Sequence, residues 1–207
     1  MRRRIALALP LALAACVGGK HHPVSIAPTD RETRQCLADL RDKGVRFSRI
    51  PDRVFDGGCS QIGTVNLLDY GVPTRGLGAV RCAVAGRFVD WVRDAVQPAA
   101  EAWLGARVAR IESFGTYACR PVNGQAGRKL SEHGFANALD VAAFVLADGR
   151  RVSVKDGWSG ADAGARDFLR AVHKAACRRF GVVLGPEADA FHRDHFHLDM
   201  ASGRYCR

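Results

Sequence analysis

Six cysteines in the folded part of an exported chain constrain this sequence more than any other feature. Seven cysteines occur among its 207 residues. The chain opens Met1-Arg2-Arg3-Arg4, a basic segment, and continues as an apolar run from Ile5 to Ala15. That run is too short to span a bilayer as a mature helix and has the length and flanks of a secretory signal peptide. Export delivers a chain to an oxidising compartment, where an even set of cysteines forms disulfides. Setting aside Cys16 at the end of the leader leaves Cys36, Cys59, Cys82, Cys119, Cys177 and Cys206. No C-x-x-C pair occurs among them, which argues against a thiolate zinc site. Three disulfides are expected. The sequence leaves their pairing open, and the simplest expectation joins neighbours along the chain, with Cys177–Cys206 tying the tail to the last helix.

The leader ends Leu13-Ala14-Ala15-Cys16, which resembles a bacterial lipobox, the signal for cleavage before a cysteine that becomes lipidated. This predicts a signal peptide over residues 1–15, lipidated Cys16, a tether over 16–31 rich in Gly, Pro and polar residues, and one domain over 32–207. Val17 is not the aspartate associated with inner-membrane retention, which favours the outer membrane, with the domain on the periplasmic side. Loss of Arg2, Arg3 and Arg4 with the leader leaves 28 basic against 21 acidic residues. Nucleic acid is not the expected partner of that charge, because an anchored exported domain does not meet it and no basic–aromatic motif appears. An anionic envelope polymer or lipid head group fits better.

Hydrophobic periodicity predicts a short helix over about 32–43, strands near 45–50 and 64–68, and a helix beginning at Cys82. Val84, Phe88, Trp91, Val92 and Ala95 recur at helical spacing there, and Pro98 breaks or restarts the element. A strand over 108–117 and a helix over 161–180 follow, the helix stopped by Gly181. His173 lies beside that helix's apolar stripe and reads as structural. Strands are predicted at 182–184 and 195–200. Helices and strands mix without a βαβ rhythm, so the expected class is α+β, a small antiparallel sheet flanked by helices.

Three of the seven histidines fall in His192-Arg193-Asp194-His195-Phe196-His197-Leu198-Asp199. A second polar stretch, Lys129 to Val141, carries His133 and Asp140. Each is weak evidence alone. Together they suggest a catalytic zinc, which takes about three imidazole or carboxylate ligands and keeps one position open. His133, Asp140 and one histidine of 195–197 would supply that set. In an extended chain His195, His197 and Asp199 share a face, so one histidine can bind metal while Asp199 orients an imidazole. Asp194 faces away from a regular strand and reaches the site only from a loop or bulge.

The spacing Ser131-x-His133-x6-Asp140 followed by His195-x-His197 resembles the zinc peptidases of the lysostaphin, D-alanyl-D-alanine metallopeptidase and hedgehog-like fold. Over about Cys36 to Cys206 the chain is similar to the bacterial extensin-like C-terminal domain family. Tyr117-Ala118-Cys119-Arg120, Asn137-Ala138-Leu139-Asp140-Val141, Leu184-Gly185-Pro186 and Tyr205-Cys206 carry the likeness. With eight prolines the chain cannot form an extensin rod. The resemblance implies His133, Asp140 and His197 as zinc ligands and Asp194 as general base. His195 would polarise water or stabilise the tetrahedral intermediate, and Arg120 would hold a substrate carboxylate or the oxyanion. His192-x-x-His195-x-His197 is also similar to the histidine pattern of periplasmic murein endopeptidases. Ala136 departs from the pattern, which commonly has glycine, and a methyl there is strained wherever the backbone needs positive φ. The expected function is hydrolysis of amide bonds in peptidoglycan stems or cross-links by a monomeric, lipid-anchored zinc peptidase. The alternative is a catalytically inactive domain that binds peptidoglycan or serves the envelope structurally.

Overall fold

A computed structural model describes residues 26–207. The leader, Cys16 and the chain up to residue 25 lie outside the described residues. The first helix, α1, spans Asp30–Asp42, two residues earlier than the domain boundary expected at 32. Thr29 sets its start with a capping box. Its hydroxyl accepts from the Glu32 N–H while the Glu32 carboxylate accepts from the Thr29 N–H.

Strands β1 (Arg46–Arg49), β4 (Thr64–Asp69) and β6 (Val80–Arg81) make a three-stranded antiparallel sheet, and β2 (Arg53–Val54) pairs with β3 (Ser60–Gln61). Helix α2 (Cys82–Trp91) passes through a wider π-type turn, Val92–Val96, into α3 (Gln97–Leu104). Pro98 sits in the first turn of α3. It has no N–H for the carbonyl four residues back, and the wide turn absorbs the mismatch, so the element restarts rather than ends.

The largest sheet runs in the order β12 (Tyr205–Cys206), β10 (Val182–Leu184), β11 (Phe196–Asp199), β8 (Ala138–Leu146), β7 (Val108–Gly115), β5 (Thr74–Arg75), with β9 (Arg151–Ser153) also on β8. Its centre is antiparallel, as expected. The two outermost pairs, β10 with β12 and β5 with β7, are parallel. β8 is buried along nearly its whole length, so it reads as a continuous apolar run interrupted by one charge, Asp140. Helix α4 (Val154–Gly157) precedes α5 (Ala163–Ala176), which Asp162 caps by accepting from the Ala165 N–H at 3.1 Å. Phe168, Leu169 and Val172 turn one stripe of α5 into the core, and Phe168 meets Phe144 of β8 edge-to-face at 5.0 Å. The buried Trp91 indole donates to the Val172 carbonyl at 2.9 Å, so its polar atom is satisfied.

The disulfides are Cys36–Cys82, Cys59–Cys119 and Cys177–Cys206. Only the last joins neighbouring cysteines. Cys82 opens α2, which packs on α1 and so meets Cys36, while Cys59 ends the turn between β2 and β3 and meets Cys119 beyond β7. Tertiary packing, not chain proximity, selected those partners. Helix α5 stops at Ala176, four residues short of the expected end, and Gly181 serves another purpose. A Cβ there would collide with the Ala201 carbonyl, so glycine lets two chain segments touch.

Candidate metal centre

β8 and β11 pair with Asp140 directly opposite His197. In an antiparallel pair, opposed side chains stand on one face, and this brings Asp140 Oδ1 to 3.0 Å from His197 Nδ1. The third group comes from the 3₁₀ turn Glu132–Phe135 just ahead of β8. The Ser131 hydroxyl caps that turn by accepting from the His133 N–H at 3.4 Å. Ala136 ends it with φ 50°, the left-handed conformation, and its methyl is wholly buried. The backbone at Ala136 therefore adopts the positive φ that favours glycine, at a strain of about 1–2 kcal/mol. His133 Nε2 then lies 3.2 Å from Asp140 Oδ1 and 3.1 Å from His197 Nδ1.

The outer nitrogens fix the tautomers. His133 Nδ1 faces the Thr116 carbonyl at 3.2 Å, an acceptor only, so it must carry the proton. His197 Nε2 faces the Asp199 carboxylate at 3.0 Å and must donate to it. Asp199 in turn accepts from the Ala201 N–H. In the neutral rings the inner nitrogens then present lone pairs, and these converge with a carboxylate oxygen in a buried place. Such a cluster repels itself unless a cation or a proton sits within it. Burial opposes charge on His197, but Asp140 and Asp199 outweigh it and push its pKa up to about 9. Burial likewise opposes ionisation of Asp140, yet the imidazoles of His133 and His197 against its Oδ1 hold its carboxyl well below the usual range. The donor set fits a divalent cation such as zinc, with each ligand imidazole anchored through its other nitrogen.

Strand alternation accounts for the rest of β11. Phe196 points into the core against Trp158 and His173, while Asp199 shares the His197 side. His195 lies just before the strand, and its Nε2 comes to 3.6 Å from Asp140 Oδ1. Asp194 is in the preceding turn, and its carboxylate accepts from or ion-pairs with His195 Nδ1 at 2.9 Å. A turn there lets two successive residues serve one site. His192 is buried, with Nδ1 at 2.7 Å from Asp189 Oδ1, and its ring lies 5.2 Å from His195 and 5.7 Å from His197. Burial lowers its pKa, opposed by the Asp189 hydrogen bond. Arg120 is exposed and lines the same cavity of about 510 Å³ as the three donors.

His173 packs edge-on to Trp158 at 5.4 Å in the core. It is also close to Cys177 and Cys206, but those sulfurs are bonded to each other and offer no thiolate. Four residues beside these groups carry no motif that singled them out. Asp189 had a local signal, standing three residues before His192. The Thr116 carbonyl had none, because any residue supplies one. Phe114 and Phe191 stand exposed at the rim, Phe114 edge-on to the His195 ring at 5.6 Å.

No curated protein and no solved structure matches the chain significantly. A family model does, over residues 34–207, covering the described domain from α1 through β12 and all the groups above. On that match the chain belongs to the family described as extensin-like protein C-terminus.

Proposed function

We propose that this chain is a zinc-dependent peptidase that hydrolyses amide bonds of peptidoglycan peptides, as a DD- or LD-carboxypeptidase or an endopeptidase, on a hedgehog and D-Ala-D-Ala metallopeptidase-like framework. It would work on the periplasmic side of the cell envelope, anchored through Cys16. One observation carries the reading: His133 Nε2, Asp140 Oδ1 and His197 Nδ1 converge with their outer nitrogens already committed to Thr116 and Asp199.

Zinc, when held by these three residues, would supply Lewis acidity towards water and the scissile carbonyl. The chain's own groups supply the rest. Asp194 and His195 form a carboxylate–imidazole pair at the edge of the donors, placed to take a proton and return it to the leaving amine. Arg120, at the cavity wall, provides a fixed positive charge for a substrate carboxylate or for the oxyanion. The cavity is large enough for a short peptide, with Phe191 and Asn123 in its lining.

The test is elemental analysis of protein purified without added metal, followed by digestion of purified muropeptides. His133→Ala and His197→Ala should lose both metal and turnover. Asp194→Ala and His195→Ala should keep metal and lose about 10²–10⁴-fold in turnover, the usual worth of acid–base catalysis. Wild-type protein that carries zinc but releases nothing from any muropeptide would leave a binding module. Protein that carries no metal would leave a structural envelope protein.

A further inference from the structure

The far end of α5 and the last strand gather cations that the metal centre does not use. Lys174 is on α5, Arg178 and Arg179 are in the turn after it, and Arg204 and Arg207 flank Tyr205–Cys206. The Cys177–Cys206 bond and the parallel pairing of Val182 with Tyr205 and Val183 with Cys206 bring these segments to one end of the domain. The Tyr205 N–H donates to the Gly181 carbonyl at 3.0 Å, and the Gly185 N–H donates to the Arg207 carbonyl at 2.7 Å. Arg178 and Arg179 reach back to the Lys174 and Ala175 carbonyls, which holds their guanidiniums at the helix end. All five lack an acidic partner among the described residues. Glu187, an acid near this end, is already paired with Arg170. The Tyr205 ring stands 53% exposed in the middle of the cluster.

The first described residue lies beside the start of the tail that carries Arg204 and Arg207. Ile26, 89% exposed, lines one cavity together with Met200, Ala201 and Ser202, the run that leads directly to Arg204. Nine residues lie between Cys16 and Ile26, so the ten chain steps span at most about 35 Å. A lipid on Cys16 would therefore keep Ile26 within that distance of the bilayer. Cations around an exposed aromatic ring, beside an exposed aliphatic one, are the composition of a surface that rests among head groups.

We propose that this face, formed by Lys174, Arg178, Arg179, Arg204, Arg207 and Tyr205, docks on the anionic phosphate surface of a lipid bilayer. The inference goes beyond the peptidase reading and rests only on its clause that the chain is exported and anchored. It gives the basic charge a location, and it makes the domain membrane-bound through two weak signals, a lipid and a basic face.

The experiment uses the chain from residue 16 onward carrying Cys16→Ala, so that no lipid contributes, and follows its cosedimentation with vesicles. Vesicles of phosphatidylcholine mixed with phosphatidylglycerol should bind it, and vesicles of phosphatidylcholine alone should not. Each cation near such a surface is worth about fivefold in binding. The triple variant Arg178→Gln/Arg179→Gln/Arg204→Gln should thus bind about 10²-fold more weakly. The control Arg53→Gln/Arg75→Gln/Arg87→Gln, exposed arginines on other elements, should lose far less, with both variants melting as the parent does. Equal binding to both vesicle types, or equal losses in the two triples, overturns the proposal. So does retention on an anionic wall glycopolymer with no retention on vesicles. Muropeptide cleavage is read separately, so neither result depends on the other.

Discussion

Two of the three disulfides should be separable by what their loss does to the metal centre. Cys59–Cys119 closes 60 residues and Cys177–Cys206 closes 29. On the chain-entropy account these loops stabilise the fold by about 4 and about 3.5 kcal/mol, nearly the same. Their neighbourhoods differ. Cys59 Sγ lies 3.0 Å from where a Cβ on Gly134 would be, inside the turn that carries His133. Cys119 follows Thr116 and Ala118, whose carbonyl and N–H hold the His133 side chain and backbone. Cys177–Cys206 ties β12 to the end of α5, and β10 stands between β12 and β11. The Cys59→Ala/Cys119→Ala variant should therefore lose orientation at His133 and bind zinc about 10–100-fold more weakly, the usual cost of losing a ligand's outer support. The Cys177→Ala/Cys206→Ala variant should bind zinc as the parent does despite a similar loss of stability. Urea unfolding of the metal-free proteins measures the first quantity, and competition with a chromogenic chelator measures the second. If the two variants bind zinc equally well, the Thr116–Cys119 segment does not hold His133 in the way described.

On the proposed function, zinc would displace the proton held at His197, whose pKa of about 9 lies above its ordinary 6.5. That raised pKa stabilises the metal-free fold below pH 6.5 and the benefit is lost as pH rises through 9, whereas zinc affinity should climb about tenfold per pH unit over that window; a flat affinity profile by calorimetry would contradict it. Asp199→Asn removes the carboxylate behind His197 and should weaken zinc about 10–100-fold with little change in fold, checked by the same chelator competition. Ala136→Gly relieves the left-handed strain but gives up a buried methyl and adds chain entropy, so its melting should stay within about 1 kcal/mol of the parent. Ala136→Val, β-branched at φ 50°, should cost more than about 2 kcal/mol and loosen the His133 turn, and unchanged thermal melting would refute that.

Much of the site was legible because its signals are local. His133 and Asp140 stand seven apart in one polar stretch entering an apolar strand, and His195, His197 and Asp199 obey the two-residue period of an extended chain. Helical spacing found α2 and α5, and the long burial of β8 follows from its composition. What failed was non-local or depended on fine backbone geometry. Helix α5 ended at Ala176, just before the disulfide-bonded Cys177, and Gly181 was needed for an approach to Ala201 that no local rule reveals. Asp194 could not be placed by parity, since the strand begins one residue after His195.

The amino-acid sequence by itself determined the even set of cysteines, the α+β class, and the two polar stretches that hold His133, Asp140 and His197, because composition, period and residue type act within a few residues. Only the tertiary structure decided that Asp140 stands opposite His197, that Thr116 and Asp199 hold the outer nitrogens of the two imidazoles, that Cys36 meets Cys82 and Cys59 meets Cys119, and that the end of α5 and the last strand are brought together. Those outcomes depend on sheet register and on which surfaces the core brings together, and both are properties of contacts between residues far apart in the chain.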